Sequence, residues 1–179
     1  MKRLIAVALV VSVPVYWLLV GDKPAAPEQS LERKTSEDWM AEIQQKLKAD
    51  PNQSELWFQL AQGYLAQQQF KSALTCFDYA IRLSASPTAN QLAGKATALY
   101  YLKSQRMAPD VQSLLQQALD KEPNNPTALM LLANDHFISF RYQHAIDIWI
   151  QLLDSGQRDL NRPQIIDLLN QAKEMQINE

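Results

Sequence analysis

Apolar residues recur along this chain at the period of a helix, in paired stretches separated by polar turns. Between Ser54 and Pro87, Trp57, Leu60 and Tyr64 fall at i, i+3 and i+7, so they share one helix face. Ala73, Phe77 and Ala80 follow at i, i+4 and i+7 on a second stretch. The small residues let two helix axes approach closely, and the aromatics fill the space beside them. The pattern predicts a helical hairpin. One hairpin cannot bury both of its faces, so the rest of the chain has to supply neighbours.

The same offsets return twice. Counted from Ser54, Trp57, Leu60, Ala61 and Tyr64 hold positions 4, 7, 8 and 11. From Ala89, Leu92, Ala96 and Leu99 hold positions 4, 8 and 11; from Pro126, Leu129, Leu132, Ala133 and His136 hold 4, 7, 8 and 11. In the middle unit Leu115, Ala118 and Pro123 lie three residues out of register with its first half. The surplus is assigned to a longer turn over Lys103–Pro109, with Pro109 near the start of the next helix. This spacing of large and small residues resembles the tetratricopeptide (TPR) repeat. That resemblance implies an all-α, right-handed solenoid of three hairpins, at about 54–87, 88–123 and 126–157. A helix capped by Thr35 and Asp38, with Trp39, Ile43 and Leu47 on one face, is expected to cover the first hairpin. A capping helix over 162–176, with Ile165, Leu168, Leu169, Ala172 and Met175 as its apolar stripe, is expected to close the other end. The repeat domain is thus placed at 35–179.

The amino-terminal part reads differently. Lys2 and Arg3 precede an apolar run from Leu4 to Val20, broken only by Ser12 and Pro14. At ~1.5 Å per residue it reaches about 25 Å, short for a bilayer core but within the range of spans. Residues 1–20 are expected to form a retained inner-membrane anchor, with the remainder exported to the periplasm. A cleaved signal peptide is the alternative, with Ala25-Ala26 as its only cleavage candidate and prolines on both sides of it. Residues 21–34, with Pro24 and Pro27, read as a linker.

Composition narrows the function. A formal net charge of -2 gives no basis for a nucleic-acid surface. The single Cys76 cannot form an intramolecular disulfide, and no haem-attachment CxxCH occurs. No phosphate-binding glycine loop, HExxH or cysteine cluster is present, so no cofactor, metal or catalytic residue is assigned. Cys76 and His136 are read as packing residues and His144 as a helix-surface residue; haem ligation by His136 is the alternative that would make this an enzyme.

The remaining candidate is a groove lined by the first helix of each hairpin, at repeat positions 2, 5, 9, 12 and 13. The groove residues assigned this way are Phe58, Gln62 and Leu65; Ala93, Thr97, Tyr100 and Tyr101; and Met130, Asn134 and Phe137. They combine aromatic and apolar surface with hydrogen-bonding side chains, which suits an amphipathic helix or an extended peptide. Tyr100 and Phe137 are the expected anchors. Asn134 matches one position of the carboxylate clamp of chaperone-binding TPR domains, but the basic residues of that clamp are missing from these slots.

An amino-terminal anchor, a three-repeat exported domain and the stretches ALYYLKSQRM and PNNPTALMLLANDHF together resemble the TPR subunit of the bacterial haem lyase of cytochrome c maturation. The likeness extends over most of Trp39–Gln176 and is greatest to the counterpart serving the formate-dependent nitrite reductase. It implies a non-catalytic adaptor that binds the carboxyl-terminal segment of an apocytochrome c and presents it to membrane haem lyase subunits. In the general maturation branch the domain is fused to a membrane region with two spans. One short span here favours the nitrite reductase branch or a separately encoded subunit. A generic periplasmic scaffold for envelope assembly is the other reading.

Overall fold

In the computed structural model, helix α1 (Ser36–Ala49) begins on a capping box. Thr35 Oγ1 accepts from the Asp38 amide while the Asp38 carboxylate accepts from the Thr35 amide, each at 3.1 Å, so two otherwise orphaned donors are satisfied. The structure describes residues 35–177; the expected membrane segment Leu4–Val20 and the linker 21–34 lie outside them. Seven further helices follow: α2 (Ser54–Ala66), α3 (Phe70–Leu83), α4 (Ala89–Leu102), α5 (Pro109–Lys121), α6 (Pro126–Ile138), α7 (Tyr142–Asp154) and α8 (Arg162–Ile177). The described residues contain no strand. None of their helices is long and apolar enough to cross a membrane.

Helices α2/α3, α4/α5 and α6/α7 form three hairpins of a TPR-like solenoid, with α1 and α8 at its ends. Turn chemistry separates the middle hairpin from the others. Gln68 and Phe140 each take a left-handed conformation (φ 57° and 60°), at the same repeat position. The next amides, of Gln69 and Arg141, return to the carbonyls of Tyr64 and His136 at 2.8 and 2.9 Å, which ends each first helix on a Schellman-type closure. In the middle hairpin Ser104 and Gln105 are both left-handed (φ 56° and 58°), and the chain continues through Ala108 before α5 starts on Pro109. The three-residue surplus is accommodated in this turn.

The alanines occupy the helix crossings. Ala61, Ala96 and Ala133 are completely buried, as are Ala73, Ala118 and Ala145 on the second helices. Gly94 serves the same end: a Cβ there would lie 2.5 Å from Cε1 of the buried Phe77 ring, so α4 crosses α3 at a distance only glycine permits. Met40, Ile43 and Leu47 of α1 are buried against the first hairpin. On α8, Ile165, Leu169 and Ala172 are buried and Leu168 half-buried, whereas Met175, expected in the same stripe, is exposed. The apolar contact ends one turn earlier than the periodicity does.

Hydrogen bonds fix the amino-terminal ends of the first helices to one another. Gln91 Nε2 donates to Ser54 Oγ at 3.2 Å, and Ser54 Oγ donates to the Ala80 carbonyl at 2.8 Å. Asn125, fully buried, caps α6 by accepting from the Ala128 amide, and its Nδ2 donates to Asn90 Oδ1 at 2.7 Å and Glu122 Oε2 at 2.8 Å. These ties hold α2, α4 and α6 side by side.

Candidate functional site

Between α4 and α6 the first helices leave a cavity of about 320 Å³, lined by Thr97, Tyr101, Pro126, Thr127, Met130, Leu131 and Asn134. None of these lining residues is charged. Tyr101 is the aromatic wall. Its ring stacks on Phe70, the first residue of α3, with centroids 4.7 Å apart and planes 11° apart. One face of Tyr101 is thereby immobilised while the side chain stays 37% exposed, enough for it to serve a ligand. Met130 adds a deformable apolar surface. The Thr97 hydroxyl donates to the Ala93 carbonyl at 2.9 Å, which leaves it acceptor capacity only. The Asn134 amide has no protein partner among the described residues, so both its N–H₂ and its C=O are available.

Four of the ten assigned groove residues therefore share one cavity: Thr97, Tyr101, Met130 and Asn134. The others are placed elsewhere. Tyr100 is 2% exposed and inaccessible as a surface anchor. Its hydroxyl donates to Asp135 Oδ1 at 3.1 Å, and burial together with that carboxylate holds its pKa above the usual phenolic value. Ala93 is completely buried in the α4 packing. Phe137 is half-buried and turned toward α7, with its ring centroid 5.6 Å from that of Tyr142 and 5.8 Å from that of Trp149. Phe58 tilts onto Phe77 at 6.1 Å, and Leu65 packs against the core of the first hairpin. Gln62 is half-buried on α2 and does not line this cavity.

Pro126 and Leu131 are the lining residues that repeat positions did not single out. Leu131 stands at position 6, where the other two hairpins carry Gln59 and Gly94. That change of residue size at one slot was the available signal. Cys76 is buried, and desolvation pushes its thiol pKa up to about 11, the condition of an inert structural cysteine. His136 Nδ1 accepts from Arg141 Nε at 2.7 Å, and its ring stacks on His144 at 5.1 Å. No group of three or more His, Cys, Asp or Glu side chains among the described residues could hold a metal ion.

Comparison with known proteins gives a consistent assignment. Residues 23–162 match the family described as the cytochrome c-type biogenesis protein H TPR domain. The formate-dependent nitrite reductase complex subunit NrfG of Escherichia coli O157:H7 is 34% identical over 83% of this chain and 74% of its own length. The bifunctional subunit NrfFG of Haemophilus influenzae is 38% identical over 80% of this chain, but the match takes in only 37% of that longer protein. CycH of Pseudomonas aeruginosa, a cytochrome c-type biogenesis protein, is 29% identical over 65% of this chain and 28% of its own length. Among solved structures, MamA superimposes with a TM-score of 0.54 over 80% of this chain and 90% of its own, at 15% identity, which speaks for the fold alone. The chain belongs to the family of the cytochrome c-type biogenesis protein H TPR domain, and within it stands with the nitrite reductase complex subunits.

Proposed function

We propose that this protein is a non-catalytic adaptor whose α4–α6 groove holds the carboxyl-terminal segment of an unfolded apocytochrome c and presents it to membrane haem lyase subunits. A nitrite reductase is the client favoured by the names of its relatives. The observation that carries the reading is the groove itself: uncharged, walled by Tyr101 and Met130, with the Asn134 amide unpartnered at its side. An unfolded client loses conformational freedom on binding, which opposes affinity. A few fixed anchors are therefore required, and Tyr101 is already ordered by Phe70. The Asn134 amide suits the alternating donors and acceptors of a peptide backbone. The segment Leu4–Val20 would tether the domain to the inner membrane, with the repeats in the periplasm beside the lyase.

Isothermal titration of the full-length protein in mild detergent with carboxyl-terminal peptides of exported c-type cytochromes tests the reading. Tyr101→Ala and Met130→Ala should each weaken binding by about 1–2 kcal/mol, roughly five- to thirtyfold. Raised salt should change little, because the lining carries no charge. Unchanged affinity in a folded Tyr101→Ala/Met130→Ala double variant would place the client on another surface.

A further inference from the structure

The long turn of the middle hairpin opens a second cleft, on the other side of α6 from the groove. It measures about 650 Å³ and lies between the α4–α5 turn (Gln105, Arg106, Met107), Gln112 of α5, and Leu132, Asp135, His136, Ser139 and Arg141. Its polar groups can be counted as donors and acceptors. Asp135 is 5% exposed and both of its oxygens are used, Oδ1 by the Tyr100 hydroxyl at 3.1 Å and Oδ2 by Arg141 at 2.7 Å. His136 Nδ1 is used by Arg141 Nε, which leaves the proton of the neutral ring on Nε2. The Gln112 amide nitrogen donates to the Met107 carbonyl at 2.9 Å. What stays unused is rich in donors: the whole Arg106 guanidinium, which has no partner among the described residues, the remaining N–H groups of Arg141, and the Ser139 hydroxyl. Two guanidinium charges against one carboxylate leave the lining with a net positive charge. Met107 and Leu132 supply apolar wall.

We propose that this cleft is a binding site for a carboxylate carried on an apolar stem, with Arg106 as its principal ligand and Ser139 and Arg141 as supporting donors. A guanidinium with free N–H groups recognises a carboxylate through paired, charge-assisted hydrogen bonds. The volume exceeds what an inorganic anion needs and suits one amino-acid residue or a small organic acid. The site does not depend on the groove reading, because it shares no residue with the groove.

Two-dimensional NMR of the full-length protein in detergent micelles tests the site with three probes: N-acetyl-leucine, its neutral amide, and isovalerate. The two carboxylates should shift the Arg106 side-chain and Ser139 amide signals saturably, and the amide should not. Arg106 is exposed and unpartnered, so Arg106→Gln should fold normally and weaken carboxylate binding by at least about tenfold. Tyr101→Ala should leave it unchanged, which separates this site from the groove. Tighter binding of N-acetyl-leucine than of isovalerate identifies a peptide terminus as the ligand, and equal binding a free organic acid. Absence of saturable shifts, equal binding of the amide, or full binding by Arg106→Gln would overturn the proposal.

Discussion

The Tyr100 hydroxyl donates to Asp135 across 3.1 Å, joining the last turn of α4 to that of α6. Both residues are buried, at 2% and 5% exposure, and Arg141 completes the carboxylate's hydrogen bonding from the following turn. Two successive hairpins are thereby locked at their carboxyl-terminal ends, opposite the Asn90–Asn125 tie at their amino-terminal ends.

Tyr100→Phe removes a donor to a buried charge without changing the ring. Urea melts should show a loss of roughly 1.5–3 kcal/mol, the range for hydrogen bonds to charged groups. Peptide affinity should be retained in the folded fraction, because Tyr100 does not line the groove. A variant as stable as the parent would mean that the bond contributes nothing net.

Gly94→Ala should destabilise, although alanine favours a helix by roughly 0.5–1 kcal/mol over glycine. The added methyl meets the rim of Phe77, which is fully buried and has no free space into which to move. Overpacking of this kind costs about 1–3 kcal/mol, so the net change in a urea melt should be a loss. A stabilised variant would show that α3 and α4 separate readily.

His136 provides a pH signature. Burial, then Arg141 and His144, lower its pKa, outweighing the opposing pull of Asp135. The unfolded chain therefore takes up this proton at a higher pH, near the ordinary value of about 6.5. Stability from this residue is complete above that value and is lost as the pH falls toward the depressed folded pKa. In His136→Gln the slope of stability against pH in that window should flatten. An identical slope in parent and variant would locate the proton uptake elsewhere.

Cys76 should behave as a protected thiol. With its pKa near 11 and its side chain buried, iodoacetamide at neutral pH should modify it slowly in the folded protein and rapidly in urea. Equal rates, followed by mass spectrometry, would show that α3 opens on the timescale of the reaction.

The sequence by itself determined the repeat. Helical periodicity and small residues at fixed offsets are local properties, and Ala61, Ala96 and Ala133 lie at crossings as that pattern requires. Its three-residue surplus was also visible, because register is a matter of counting. The side each residue faces was decided by tertiary packing. Tyr100 and Tyr101 are neighbours, yet one is 2% and the other 37% exposed. A step of about 100° around the helix turns Tyr100 under α6, where Asp135 accepts its hydroxyl, and Tyr101 into the groove, where Phe70 supports it. Phe137, equivalent to Tyr100 by position, is instead drawn beneath α7 by Tyr142 and Trp149. The cleft around Arg106 follows from the same cause. A turn's length can be read along the chain, but the space it opens depends on the helix that packs across it.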